Sequence, residues 1–386
     1  TMQPWQDKSL EETREKFREF SKNELAGDWQ QRDADREFSV ERWQKCCDMG
    51  VLGMSVPKKF GGSEMPYGHA VAAIEGMCLE CEDSGFFFAM SSQMSGIQAA
   101  LLSTASEELQ EMYLPKLISG EHRACLGFSE ETAGSDIYSI ETFAEKTDGG
   151  YIINGSKSFQ TNSLDSTTCL LFAKTANNRS PFDFTGFMVD LDSEGVSHAE
   201  PYNKATLRTC SMGRLTFENV FVPDSHIIGG VGGGLNVIKY SIGWERIMLM
   251  GICIGPMGRV LEQTVEWAKD REQFGKPIGK YQGISSKIAE MVMRHRMARM
   301  VVYDVCGQLT EANGEIGKYL GEVAITKLYV TESFIEFMRD ATQIWGGRGV
   351  CFDWSIQLDL RDSLSSTIWA GTWETLRNTI AKLEGL

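Results

Sequence analysis

The period of the sequence changes twice. Between about residues 124 and 234, short runs of β-branched and aromatic residues spaced by Gly, Asn and Asp replace the helical patterning found on either side. Residues 151–154, 169–173, 185–189 and 214–220 read as strands. Before them, a charged stretch over 11–24 and apolar segments over 71–77 and 97–102 read as helices, divided by turns at Gly50, Gly53, Pro57, Gly61, Gly62 and Pro66. After them, the run Gly229, Gly230, Gly232, Gly233, Gly234 reads as a hinge, and helical pattern returns with breaks at 275–277 and 346–349. The expected fold is therefore mainly α with a central β domain. Its blocks are an N-terminal helical domain over 1–123, a central β domain over 124–234 and a C-terminal helical bundle over 235–386, with no internal repeat.

With 386 residues, 42% of them hydrophobic, 24% charged and only nine proline, the chain can bury a large core and is not of disordered composition. No run approaches the roughly 18 apolar residues of a bilayer span, and no short positive-then-apolar signal is expected at the start. The ten cysteines include the adjacent pair Cys46 and Cys47 and have no regular spacing, which suits a reducing compartment, and the cytoplasm is the expected location. Against 38 Lys and Arg stand 53 Asp and Glu, a net charge of -15 that repels nucleic acid and anionic lipid. An anionic ligand would need a local exception.

One carboxylate stands out. Residues 235–270 are apolar on nearly every face, the pattern of a buried helix. Glu245 lies within it, with Ile242 one turn before and Met248 and Leu249 one turn after. Desolvation there would raise its pKa into the range of a general base, while an ion pair with an Arg from another segment is the structural alternative. Arg246 is not its partner by adjacency alone, because neighbouring helix residues face different directions.

Other segments carry weaker signals. The turn over 128–136, with Phe128, Ser129 and Ser135, admits close backbone approach to a ligand or forms a capped turn into a strand. In the segment over 157–162, Phe159 and Thr161 would share one face if extended. The basic turn from Arg271 through Phe274 to Ile278, followed by Gln282, would hold a phosphate or offset a helix dipole. Gln343 to Gly349, including Gly347, is a second glycine turn, without the spacing of a dinucleotide fingerprint. The five His have no ligand spacing, and Cys78 and Cys81 lack the second half of a zinc site, so no metal is expected. Met291, Met293, Met297 and Met300 read as core or interface packing.

Taken jointly, the helical–β–helical order, the 129–136 turn, Phe159-x-Thr161, Arg271-x-x-Phe274-Gly275, Gln343-Ile344-Trp345-Gly346-Gly347 and Trp369-Ala370-Gly371-Thr372 resemble the acyl-CoA dehydrogenase family over nearly the whole chain. The resemblance implies an N-terminal helical domain, a middle β-barrel and a C-terminal four-helix bundle, assembled as a homotetramer or dimer around FAD. It implies that Phe128, Ser129, Ser135, Phe159 and Thr161 cover the flavin, and that Arg271, Phe274, Gln282, Gln343 and Gly347 reach the FAD of a neighbouring subunit. Thr372 would lie near the FAD pyrophosphate, with Glu374 beside the flavin or the substrate amine. Most members carry the catalytic Glu where this chain has Ala370, which cannot abstract a proton. A minority, similar to isovaleryl-CoA dehydrogenase, places the base just before an Arg on the buried helix, and Glu245-Arg246 occupies that position. The Ala370 N–H would still donate to a thioester carbonyl.

A narrower similarity, carried by Gly243-Trp244-Glu245-Arg246, residues 273–279, 346–349, 361–363 and 367–372, is to the prolyl-carrier-protein dehydrogenases of natural-product assembly lines. It implies α,β-dehydrogenation of a prolyl thioester on a phosphopantetheine carrier protein, with Trp244 and Arg246 near the substrate and an electron-transfer flavoprotein or oxygen as acceptor. Two other readings stay open: a dehydrogenase of free acyl-CoA, and a catalytically silent structural relative. Arg294, Arg296 and Arg299 would form the basic patch for an acidic carrier protein.

Overall fold

The computed structural model describes residues 7–386. The N-terminal helices are α1 (Lys8–Glu24), α2 (Trp29–Asp35), α3 (Val40–Asp48), α4 (Tyr67–Cys78), α5 (Ser84–Ser92), α6 (Ala99–Thr104) and α7 (Glu107–Ser119). Side-chain caps fix several starts: Asp7, Ser39, Asp83 and Ser106 each accept a backbone N–H in the first turn that follows. Between α5 and α6 the chain stays helical but widens into a π-helical turn over Gln93–Gln98, a distortion common at functional sites.

The middle of the chain forms an eight-stranded mixed sheet: β1 (Ala124–Gly127), β2 (Phe143–Thr147), β3 (Gly150–Thr161), β4 (Thr168–Lys174), β5 (Phe184–Asp190), β6 (Val196–His198), β7 (Met212–Pro223) and β8 (Ile227–Ile228). The order is β6-β7-β3-β2-β4-β5-β8, with β1 paired in parallel to β4. All four segments read as strands fall inside β3, β4, β5 and β7. Inward residues such as Ile153, Leu171, Phe187, Leu215 and Phe217 alternate with outward ones and close a separate sheet core. The expectation that Phe159 and Thr161 share a face of an extended strand is corrected. The β3–β7 register shifts between Lys157 and Gln160, and Phe159 has φ +61°, so a bulge re-aims its ring.

The rest of the chain is α8 (Gly234–Met248), α9 (Gly251–Asp270), a small hairpin of β9 (Glu272–Gln273) and β10 (Lys276–Pro277), then α10 (Gln282–Glu311), α11 (Leu320–Trp345), α12 (Ile356–Ser365) and α13 (Trp373–Leu383). The apolar stretch from 235 to 270 is thus two helices, divided at Leu249 and Met250. Glycine near the start of α9 costs helix propensity, and close packing explains it: a Cβ at Gly251 or Gly255 would meet Ile74 Cβ at 2.9 Å or Cys78 Cβ at 2.5 Å on α4. Consequently the first and last helical blocks share one core, in which Trp43, Ile74 and Phe87 join Trp244, Ile254, Val302 and Phe337. Glu75 pins that interface, taking Arg299 Nε at 2.7 Å and the Tyr303 hydroxyl. Of the basic patch expected from Arg294, Arg296 and Arg299, only Arg296 stands exposed without an ion-pair partner among the described residues. Arg299 is committed to Glu75, and Arg294 pairs with Glu290 and Asp340. No helix among the described residues is long and apolar enough to cross a membrane.

Candidate active site

Glu245 projects from α8 onto the π-helical turn. It is buried, forms no ion pair among the described residues, and accepts a single hydrogen bond, from Ser92 Oγ at 3.2 Å. The ion-paired alternative is therefore not what the fold builds. Burial pushes the carboxyl up to about 7, against the opposing pulls of the Ser92 hydroxyl and the Arg246 charge. Gly96 makes room for it, since a Cβ there would lie 3.0 Å from Glu245 Oε1. One turn before Glu245, the buried Ser241 hydroxyl has no partner and faces the same bare spot at Gly96. Trp244 points elsewhere, stacked on Tyr67 at 3.8 Å between ring centroids with its indole N–H unpartnered.

Arg246 reaches a different element. Its Nε donates to the Ala370 carbonyl at 3.0 Å, tying α8 to the turn before α13. Ala370 has φ +53° and Gly371 φ +95°, and a Cβ on Gly371 would sit 3.1 Å from Arg246 Nη2. The Gly371 carbonyl accepts from Lys327 Nζ on α11 at 2.9 Å. The Ala370 N–H donates to no backbone or side-chain acceptor among the described residues. Thr372 caps α13, its hydroxyl accepting the Thr375 N–H at 3.2 Å, and Glu374 is exposed on the first turn.

The β domain supplies a second group. Ser158 N–H donates to the Ser129 carbonyl at 2.9 Å, and the Gln160 amide bridges Phe128 and Ser129, so the 128–129 segment lies against the bulge that carries Phe159. Phe159 is 49% exposed and stacks on Tyr202 at 4.9 Å. Thr161 follows, half-buried, and Asn162 donates to the Ala89 carbonyl on α5, which holds the strand end beside the helix bearing Ser92. Beneath the turn, fully buried Lys157 donates to Glu130 at 2.8 Å and to the Phe128 carbonyl at 3.1 Å. Ser135 is exposed further along the same loop. An open aromatic face, free hydroxyls on Ser163 and Ser211, and backbone groups brought together by buried hydrogen bonds suit a flat heteroaromatic ligand.

A third group sits apart. Arg271 follows the last residue of α9, whose 20 residues span about 30 Å. Gln343 and Gly347 lie at the far end of α11 from Lys327, about 24 Å along the helix. Trp267 gathers this end: Trp345 stacks on it at 5.1 Å, and the guanidinium groups of Arg271 and Arg348 lie 5.8 and 4.7 Å from its ring centroid. Phe274, at φ +53° on the hairpin tip, is 96% exposed, and Gln282 is exposed at the start of α10. Within one chain these residues do not meet Glu245.

Several residues around these groups give little local signal in the sequence: Ser92, Gly96, Ser241, Lys327, and the pair Glu130 and Lys157. Only Lys327, a lone cation in the apolar run from Val323 to Val330, departs visibly from its surroundings.

Comparison with known proteins agrees with this architecture. Residues 7–121, 125–220 and 232–384 match the N-terminal, middle and C-terminal domain models of acyl-CoA dehydrogenase. An L-prolyl-(peptidyl-carrier protein) dehydrogenase of Pseudomonas fluorescens is 34% identical over 348 residues, covering 90% of each chain. Among solved structures, the prolyl acyl carrier protein oxidase AnaB superposes with a TM-score of 0.95 at 32% identity, covering 98% of this chain and 100% of its own. PigA, solved with FAD and proline, gives a TM-score of 0.94 at 29% identity, covering 98% of both. With its three domains matched in order along nearly its whole length, the chain belongs to the acyl-CoA dehydrogenase family.

Proposed function

We propose that this protein carries out FAD-dependent α,β-dehydrogenation of a prolyl group held as a thioester on a peptidyl carrier protein, giving a pyrroline- or pyrrole-carboxyl thioester. It is a flavin-dependent oxidoreductase acting on a CH–CH bond. Glu245 carries the reading: a buried, unpaired carboxylate, pushed up to about 7 by burial, on a helix tied to the turn of Ala370.

The chemistry divides among the chain's own groups. Glu245 takes the α-proton, with Ser92 orienting one carboxylate oxygen. The free Ala370 N–H donates to the thioester oxygen, where negative charge accumulates as the proton leaves. Phe128, Ser129, Ser135, Phe159 and Thr161 would hold and cover the cofactor ring, and Thr372, at the N-terminus of α13, would face its anionic portion with Glu374 alongside. Bound FAD supplies the acceptor for the hydride from the β-carbon. Trp244 and Arg246 shape the substrate side, Trp244 by packing and Arg246 through the Ala370 carbonyl.

The third group supports an oligomer. The exposure of Phe274, on the same hairpin end as Arg271, supports a reading in which these residues, with Gln282, Gln343 and Gly347, would complete the FAD site of a neighbouring copy in a homo-oligomer, read as a tetramer. The final acceptor is an electron-transfer flavoprotein or oxygen, and the expected location is the cytoplasm.

The test is anaerobic flavin absorbance after mixing the holoenzyme with prolyl-loaded carrier protein, prolyl-CoA or short acyl-CoAs. Bleaching by the carrier-bound prolyl group alone supports the reading. Bleaching by acyl-CoA assigns a free-thioester substrate instead, and a flavin bleached by none of them overturns dehydrogenation of these thioesters.

The raised Glu245 carboxyl also sets a pH profile. Only its ionised form accepts a proton, so kcat/KM for flavin reduction should rise through pH about 7 and level above it. Well below pH 7 it should fall about tenfold per pH unit. Stopped-flow reduction measured across pH 5.5–9, values chosen around that midpoint, checks this; a flat profile would remove Glu245 ionisation from the rate.

A further inference from the structure

The turn carrying Ala370 is gripped by two cationic side chains, Lys327 fully buried and Arg246 half-buried. Arg246 Nε takes the Ala370 carbonyl at 3.0 Å, and Lys327 Nζ takes the Gly371 carbonyl at 2.9 Å. Lys327 is fully buried and has no carboxylate partner within ion-pair distance among the described residues; its ammonium also lies 5.0 Å from the Trp369 ring centroid. For stability alone this is an expensive arrangement, because a buried charge that lacks a counterion is disfavoured against an apolar side chain of similar size. Burial lowers the Lys327 amine to about 7, Arg246 adds to that effect, and Cys253 and Glu374 oppose it. Both of its protonation states retain an N–H for the Gly371 carbonyl.

The turn needs such a grip. Ala370 and Gly371 are consecutive residues in the left-handed region, which costs a residue with a Cβ about 1–2 kcal/mol. A strained conformation of this kind persists only where its surroundings over-determine it. Two donors on two successive carbonyls fix the planes of the 370–371 and 371–372 peptides. Through the Ala370 Cα they also constrain the preceding peptide, which carries the free N–H.

We infer that Lys327 is a positioning residue of the dehydrogenation: by holding the Gly371 carbonyl it keeps the Ala370 N–H aimed at the thioester oxygen. The inference rests on the proposed role of that N–H, and it assigns to α11 a part in the reaction exerted through the Gly371 carbonyl. With Arg246 it also adds positive potential, in a chain of net charge -15, beside the place where negative charge develops.

The test compares Lys327→Met and Lys327→Arg as FAD-loaded proteins. Lys327→Met should keep the flavin spectrum and the KM for the thioester while slowing flavin reduction about 100-fold, the scale of an ångström-sized misplacement. Lys327→Arg, which can still donate to Gly371, should recover much of the loss. A crystal structure of Lys327→Met should show Ala370 out of the left-handed region. If the methionine variant fails to fold, Lys327→Leu, apolar and without a donor, replaces it in every measurement. Reduction at the wild-type rate, loss only of thermal stability, or an unmoved 370–371 turn would each overturn the inference. If the wild-type flavin is reduced by an acyl-CoA and not by the prolyl carrier protein, the substrate reading falls and the variants are compared on that acyl-CoA. The crystal structure decides the positioning role without any substrate.

Discussion

Glu245→Gln is expected to bind FAD normally and to lose reduction of the flavin by thioester by about 10²–10⁴-fold, the range a positioned general base contributes. The substitution keeps the shape of the side chain and an oxygen that can accept from Ser92 Oγ, so the contact at 3.2 Å survives while the proton acceptor does not. It also removes the cost of ionising a buried carboxyl. Because burial raises the folded-state pKa from 4.5 to about 7, the wild-type fold loses stability as pH rises through that window. The glutamine variant should lack this loss and be at least as stable at pH 8. Anaerobic stopped-flow absorbance and thermal melts at two pH values measure both effects. Near-normal reduction would show that another group takes the α-proton, and Ala370 cannot be that group.

Glu130→Ala should destabilise the β domain by about 3–5 kcal/mol, the usual cost of breaking one side of a buried ion pair. Glu130 accepts from Lys157 Nζ at 2.8 Å, from the Thr142 N–H at 3.0 Å and from the Glu141 N–H at 2.6 Å. Burial alone would raise its carboxyl, but the Lys157 charge and these hydrogen bonds hold it below the usual range. Its stabilising contribution is therefore present at neutral pH and fades as pH falls through the lowered value. Without it, a fully buried ammonium keeps only the Phe128 carbonyl and two backbone donors lose their acceptor. Since this cluster holds the 128–129 segment, FAD affinity should fall with stability. Urea unfolding and flavin titration read the two losses. An unchanged midpoint would mean that the pair only breaks even against solvation.

The same loop illustrates what was legible in advance. Gly, Asn and Asp spacing located the strands, because period-two alternation and turn residues are local properties of the chain. Alternation did not reveal the bulge at Phe159. A positive φ at a non-glycine residue is imposed by the β3–β7 pairing, which shifts register there. Likewise, an apolar run from 235 to 270 announced buried helix, but its division at Leu249 and Met250 accompanies the seating of Gly251 and Gly255 against α4, some 180 residues away in sequence.

The site divides along the same line. Identity settled what each position can do: Ala370 carries no acid or base, Glu245 does, and an apolar helix around it requires a cost to ionise. Those properties belong to single residues and their near neighbours, so the sequence alone determined the helical–β–helical order and marked Glu245 as a candidate base, which the family resemblance then favoured over an ion-paired role. Partnerships were decided by tertiary structure. Ser92 meets Glu245 across 153 positions, Arg246 turns from its neighbour to the Ala370 carbonyl, and Lys327 closes on Gly371 from another helix. Such contacts depend on which faces meet when helices and strands dock. Docking is set by the summed packing of the shared core, and no local pattern along the chain encodes it.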